Sequence, residues 1–294
     1  TPLEKLLWRI VSDGSERFDT HFDLAVSYIE GGSAYYVHDH VSAAKKAAFI
    51  HVDYVQAGYT RRLDKDCYVD FDRIFAVSDE TAGVLAGVYP ECQQKLSVFH
   101  NLIDTETIRQ KALLPAEKSM HEGIRLLTVG RLTPQKGFDC AVYALKLLLE
   151  KQYPVYWYII GEGPEYGRLT QLARSLHVKD HFIFLGMQTN PYPYFKIADF
   201  YIHATRFEGK SIAIQEAQVL GCAIAASDCS GNREQIVSGV DGLLCPFSPE
   251  GIANAVEYLI EHPQTAESFG RAAAQKACHF ENDIHMIRDL LYSP

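Results

Sequence analysis

A chain of 294 residues with 47% hydrophobic and 22% charged side chains is long enough to bury two cores and too apolar to be disordered. Its formal net charge of −9 excludes general nucleic-acid binding, which needs a basic face to neutralise phosphates. No apolar run reaches the roughly 18 residues of a membrane-spanning helix, and the first residues do not read as a secretory signal.

In chain order, residues 2–11 form an amphipathic helix, with Leu3, Leu6, Leu7 and Ile10 on one side and Lys5 and Arg9 on the other. A core-facing position and a membrane surface both suit it, although the net charge lends the second no support. Strands are predicted at 23–29, 46–52, 73–78 and 95–100, with helices between them. His38-Asp39-His40 resembles a metal-binding fragment. Alternating residues on a helix point apart, however, and no carboxylate or Cys partner is evident, so no metal is expected. The polar stretch 114–123 is the natural linker, which gives domains at 1–118 and 119–294. Four strands are few for a doubly wound domain, and the first residue is Thr1 rather than methionine. The expectation is a first domain that lacks its front.

Beyond the linker the rhythm is regular. Strands are predicted at 124–130, 155–161, 181–186, 199–204 and 223–227, and helices at 138–151, 165–177, 192–197 and 211–220. Alternation at this pace means parallel pairing with crossover helices, and apolar strands such as Val155-Tyr156-Trp157-Tyr158-Ile159-Ile160 suit a sheet covered on both faces. Such α/β domains bind ligands at the C-terminal ends of their strands. Helices at 249–262 and 264–278, parted by Pro263, and a last one at 283–292 close the chain. The seven cysteines, Cys67, Cys92, Cys140, Cys222, Cys229, Cys245 and Cys278, are scattered and read as buried thiols of a reducing compartment, which points to the cytoplasm.

Two strand-to-helix loops carry candidate chemistry. Gly130-Arg131 and Lys136-Gly137 put a guanidinium fork and an ammonium at the sheet's C-terminal edge, a pair suited to a diphosphate. An exposed basic loop would read the same. In the second loop, Glu208-Gly209-Lys210-Ser211-Ile212, a glycine admits close backbone approach and the helix beginning near Ser211 offers free N–H groups. Glu216 lies eight residues after Glu208, where it could accept hydrogen bonds from a ribose diol, while Glu208 reaches sugar hydroxyls. Most Glu pairs of arbitrary spacing are ordinary surface carboxylates.

Taken together, Gly130-Arg131…Lys136-Gly137, the Glu208/Glu216 pair with seven residues between them, and the run Ser227-Asp228-Cys229-Ser230-Gly231…Gly239-Val240-Asp241-Gly242-Leu243-Leu244 resemble the motif set of retaining family 4 glycosyltransferases. The resemblance is clear over residues 124–278 and looser before them. It implies an α/β fold of the GT-B type, with two Rossmann-like doubly wound domains and the first one incomplete. It also implies that Arg131 and Lys136 hold the donor pyrophosphate, that Glu216 holds the ribose and that Glu208 contacts the donor sugar beside Gly209, Lys210, Ser211 and Ile212. Leu185-Gly186-Met187 lies by the nucleobase, and Gly161-Glu162-Gly163-Pro164 is a structural turn. In the first half, Ala48-Phe49-Ile50-His51 resembles a strand that ends in a histidine near the donor sugar, although a histidine hydrogen-bonded at a strand end would look alike.

The implied reaction is metal-independent transfer of a sugar, with retention, from a nucleotide-diphosphate sugar to a hydroxyl; no covalent nucleophile is evident in the sequence. A UDP-sugar leads as donor, no further cofactor is called for, and the acceptor is a saccharide or lipid-linked glycan of bacterial polysaccharide or glycoconjugate synthesis. That use places the protein in the cytoplasm, with the inner membrane face kept open. The rivals are a nucleotide-sugar epimerase on the same fold and a nucleotide-sugar-binding fragment without activity.

Overall fold

The structure, a computed structural model, describes residues 3–277 and 282–292. It divides into two compact units, one from the described parts of Thr1–Leu102 and Glu281–Pro294, the other from that of Ile103–Phe280.

In the first unit, helix α1 (Leu3–Asp13) precedes strand β1 (His21–Ser27), and helix α2 (Gly32–His40) leads to β2 (Ser42–Ile50). The short helix α3 (Arg61–Asp64) follows, then β3 (Arg73–Ala76), α4 (Asp79–Val88) and β4 (Leu96–Val98). The four strands are parallel and ordered β1-β2-β3-β4. Strand β2 begins four residues before its predicted start and takes in Lys45 and Lys46. Each buries its stem and sends its ammonium to a carbonyl, Lys46 to His38 near the C-terminal end of α2 at 2.8 Å and Lys45 to Leu290 at 3.1 Å.

Helix α1 is turned opposite to the core-facing alternative. Arg9 and Ser12 face inward, at 6% and 3% exposure, while Leu3, Leu6, Leu7, Ile10 and Val11 face solvent. Polar contacts hold it there. The Arg9 guanidinium meets Asp39 at 2.8 Å and lies over the Tyr35 ring, and the Lys5 ammonium lies over Tyr59.

The second unit opens with helix α5 (Thr105–Lys111), then alternates β5 (Ile124–Val129), α6 (Phe138–Glu150), β6 (Val155–Ile160), α7 (Tyr166–Ser175), β7 (Phe182–Gly186), α8 (Tyr192–Ile197), β8 (Phe200–His203), α9 (Ile212–Val219) and β9 (Ala223–Ser227). A single-turn helix α10 (Ser230–Arg233) leads to β10 (Leu243–Cys245), and α11 (Pro249–Glu261) and α12 (Pro263–Ala277) follow. All six strands are parallel, in the order β10-β9-β8-β5-β6-β7. The chain moves outward from β5 to β7, returns to the other side of β5 as β8, and continues to β10. The reversal lies between β5 and β8, where a doubly wound sheet opens a crevice at its strand ends. Buried apolar residues line both sheet faces, with Trp157 and Ile159 on one and Tyr158 and Ile160 on the other.

The units do not divide at 118/119. Helix α5, placed by the sequence before the boundary, packs in the second unit, where Ile108 meets Val219 and Ala277. The last helix, α13 (Ile284–Tyr292), returns to the first unit and buries Leu290 against Ala47, Phe49, Phe75 and Phe99. A polar stretch marks a loop, but apolar contacts decide which core its neighbours join. Cys67, Cys92, Cys140, Cys222 and Cys245 are buried as expected and Cys229 is half-buried; Cys278 lies outside the described residues. Among the described residues no helix is long and apolar enough to cross a membrane.

The core of the first unit contains a fully buried carboxylate. Asp64 accepts hydrogen bonds from Tyr35 at 2.5 Å, from Tyr54, and from Tyr89 at 3.3 Å. Burial pushes its pKa up to about 6, against the pull of the tyrosine hydroxyls and Arg9. A folded-state value above the unfolded one means that the folded unit binds this proton more tightly. The stability that Asp64 contributes is therefore full below pH 4 and fades as pH rises through 6. The difference between wild type and Asp64→Asn should shrink by roughly 1 kcal/mol between pH 5 and 7.5. Hydrogen-exchange protection of the β2 amides reads this out, and a difference independent of pH would mean that Asp64 keeps an ordinary affinity for its proton.

Candidate functional site

The β5–α6 and β8–α9 loops flank the reversal point, and backbone contacts lace them together. Thr205 Oγ1 and Arg206 N donate to Gln135 O at 3.1 and 2.9 Å, and Gln135 Nε2 donates to Phe207 O at 3.0 Å. Arg206 also forks onto Asp139 at the start of α6, at 2.8 and 3.1 Å. Held this way, Lys136 and Glu208, 72 residues apart in sequence, form an ion pair in the crevice, with side-chain exposures of 17% and 11%.

Burial alone would raise the Glu208 pKa, but His203 and Lys136 pull it down to about 2, so the carboxylate is ionised. The Arg131 side chain is exposed and, among the described residues, takes no hydrogen bond or ion pair. Gly130 ends β5 with its N–H on Ile160, and a Cβ there would meet the Lys136 stem only at ordinary contact distance.

Helix α9 supplies the next group. Ser211 is its cap residue, but its N–H already donates to Gln235 Oε1 at 2.7 Å, and Gln235 Nε2 returns a bond to Ser211 O at 2.9 Å. The free donors of this helix therefore begin at Ile212, and Ser211, also expected to offer one, does not. Glu216, a turn further, accepts from the Tyr192 hydroxyl at 3.0 Å; burial raises its pKa and that hydrogen bond lowers it. Lys210 is half-buried beside them in sequence.

A cavity of about 500 Å³ adjoins the ends of β6 and β7, lined by Gly161, Gly163, Tyr166, Phe184, Leu185 and Gly186. Met187 is not part of that lining and stands 72% exposed. Gly161 and Gly163 also have the structural role expected of their turn, since a Cβ at either would strike the carbonyl oxygen of Gly130 or Leu132.

The structure thus gathers Gly130, Lys136 and Glu208 around one crevice, with Arg131 at its basic loop and Gly209, Ser211, Ile212 and Glu216 on the second loop and helix. His51 belongs to the first unit, just after β2. Its N–H donates to Glu30 Oε2 at 3.0 Å, its ring stacks on Phe49, and burial lowers its pKa while Glu30 raises it. The expectation that His38-Asp39-His40 has no carboxylate partner is corrected. His38 bonds Asp39 and Asp70 at 2.5 and 2.8 Å, and Asp13, Asp39 and His40 bring ligand atoms within 4.8 Å of one another. The positive charge at Asp39 is already supplied by Arg9.

Sequence reading missed His203, which contacts Glu208, and Gln235, which caps α9. A histidine closing an apolar strand and a glutamine in a polar run carry no signal of their own.

With this geometry in place, the profile described as glycosyl transferases group 1 matches residues 109–276. The chain belongs to that family. A Campylobacter jejuni relative, N-acetylgalactosamine-N,N'-diacetylbacillosaminyl-diphospho-undecaprenol 4-alpha-N-acetylgalactosaminyltransferase, is 29% identical over 200 residues, which cover 67% of this chain and 53% of that protein. An uncharacterized glycosyltransferase of Haemophilus influenzae is 32% identical over 158 residues, or 52% of this chain and 44% of its own. The chain spans about half the length of the curated relatives it matches.

Among solved structures, sucrose-phosphate synthase from Thermosynechococcus elongatus matches with a TM-score of 0.77 at 16% identity, covering 92% of this chain and 74% of that one. Anabaena HepE in complex with UDP matches at 0.71 and 18% identity, covering 85% and 72%. These likenesses establish the fold, an α/β architecture of parallel sheets of the GT-B type.

One glycine on the far side of the crevice is a sensitive point. A Cβ on Gly231, in α10, would lie 1.8 Å from Gly209 O and 2.5 Å from Glu208 O, both backbone atoms. Gly231→Ala should therefore destabilise the second unit by about 1–3 kcal/mol by displacing the Glu208 loop. Denaturant unfolding measures this, and an unchanged midpoint would show that the loop yields without cost.

Proposed function

We propose that this chain binds a nucleotide-diphosphate sugar in the β5/β8 crevice and takes part in transferring the sugar, with retention, to a hydroxyl acceptor. The observation that carries the reading is the Lys136–Glu208 pair at the sheet's reversal point, with the Arg131 side chain, which has no partner among the described residues, on the same loop. Arg131 and Lys136 take the diphosphate, aided by the N–H groups that begin at Ile212. In this reading these positive groups stabilise the charge that builds on the diphosphate as the glycosidic bond breaks, and they can do so without a metal ion.

Glu216 takes the ribose diol, and the cavity by Leu185 and Gly186 takes the base. Glu208 holds a hydroxyl of the donor sugar, beside Gly209 and Lys210. Met187, outside the cavity lining, is the weakest member of this set.

The HepE complex with UDP supports a UDP-sugar as donor, and the name of the Campylobacter relative supports a lipid-diphosphate-linked saccharide as acceptor, within bacterial glycoconjugate synthesis. A lipid-linked acceptor would fit work in the cytoplasm at the inner membrane face. The curated relatives carry transferase or synthase names, which favours transfer over epimerisation.

A melting titration with UDP, GDP, ADP and CDP tests the site. A ligand at a hundredfold excess over its Kd stabilises the folded state by about 2.7 kcal/mol. One nucleotide should raise the melting temperature, UDP first among them, and Arg131→Ala should abolish that rise while melting normally without ligand. In turnover, Arg131→Ala and Lys136→Ala should each cost on the order of hundreds-fold. No response to any of the four nucleotides, or normal turnover by both variants, would overturn the assignment. Binding without turnover of any sugar conjugate would instead favour a binding fragment.

A further inference from the structure

The mechanism above leaves one buried polar group without a task. His203 ends β8 at the reversal point, and its ring is 2% exposed. Its Nδ1 lies 3.2 Å from the hydroxyl of the fully buried Tyr201, and its Nε2 lies 3.3 Å from Glu208 Oε2. One arrangement of protons satisfies all three groups: the tyrosine O–H donates to Nδ1, and Nε2–H donates to the carboxylate. Burial, the largest influence, and the nearby Lys136 ammonium lower the imidazole's pKa, and Glu208 raises it, so the ring works as a neutral donor.

Glu208 uses a single oxygen for both of its partners. Lys136 and His203 meet Oε2, and among the described residues Oε1 takes no hydrogen bond. A donor diphosphate entering the crevice competes for the Lys136 ammonium. A carboxylate this buried, deprived of its cation, pays heavily unless another fixed donor remains. It would otherwise protonate or swing away, and either change would spoil it as an acceptor for a sugar hydroxyl.

We propose that His203 is a positioning residue that keeps Glu208 Oε2 anchored when Lys136 turns to the donor diphosphate, leaving Oε1 for a hydroxyl of the donor sugar. This rests on the nucleotide-sugar reading above. It makes Tyr201 the third member of the relay, since its hydroxyl fixes which ring nitrogen carries the proton.

Calorimetric titration of the full chain separates the possibilities. Wild type, His203→Gln and His203→Phe are each titrated with UDP, UDP-glucose and UDP-N-acetylglucosamine, or with the same conjugates of whichever nucleotide raises the melting temperature. Glutamine keeps an N–H donor near the place of Nε2, whereas phenylalanine keeps the ring's bulk without it. All three proteins should bind the bare diphosphate within about twofold of one another. The affinity added by the sugar should survive in His203→Gln and fall about tenfold or more in His203→Phe, the loss expected for a hydrogen bond to a charged group.

Equal loss in both variants, or a parallel loss of diphosphate affinity, would reduce His203 to packing and sink the idea. No loss in either would do the same. If wild type binds the diphosphate but gains nothing from either sugar, the role of His203 falls while the phosphate site stands. If wild type binds no diphosphate at all, the donor reading fails first.

Discussion

The second unit is organised around a constraint of winding. A parallel sheet that runs outward from β5 to β7 and then restarts at β8 leaves the C-terminal ends of β5 and β8 as neighbours with no crossover helix between them. Lys136 and Glu208 meet there. A buried ion pair is a poor source of stability, because desolvating both charges offsets most of their attraction. Its presence at the reversal point fits the donor site proposed above: an ammonium and a carboxylate largely shielded from water, each of which would exchange its partner for a ligand.

Backbone proximity makes that preparation rigid. Gly161 lets the β6 turn touch Gly130, Gly231 lets α10 touch the Glu208–Gly209 backbone, and Gly137, at φ 63°, brings the start of α6 against Ala204 O. Behind them Ser227, at the end of β9, accepts from Thr205 N and donates to Thr205 O, while Asn232 donates to Ser227 O. The two loops are thus fixed from three sides, so the crevice would need little reordering to take a ligand.

Much of this was legible in the sequence, and unevenly so. Strands β5 to β9 of the second unit are continuous apolar runs bounded by glycine or polar residues, and their limits were read to within one residue, whereas the short β10 was given none. The two loops were singled out because cations and carboxylates on strand-to-helix turns lie where such a sheet binds ligands, although an exposed charged loop reads the same. What escaped depends on side-chain contacts that no local pattern encodes. Gln235 takes the Ser211 N–H across 24 positions, and Glu208 gives His203 a partner that its own strand does not announce. In the first unit, Arg9 and Lys5 make the inward contacts of α1 while its leucines stay exposed, so a pattern of leucines gave the face but not its direction. Where the two units divide follows the packing of α5 and α13, whose buried residues such as Ile108 and Leu290 have no signature beyond being apolar.

The return of α13 to the first unit has a bearing on how the chain becomes a protein. The second unit is one uninterrupted stretch of chain and can complete its contacts as soon as that stretch is available. The first unit cannot, because Leu290 fills the place between Phe49, Phe75 and Phe99 and arrives almost 200 residues after the last of them. On a ribosome, the unit made first is therefore the one finished last, and until then its β2–β3 aromatic cluster lacks a cover.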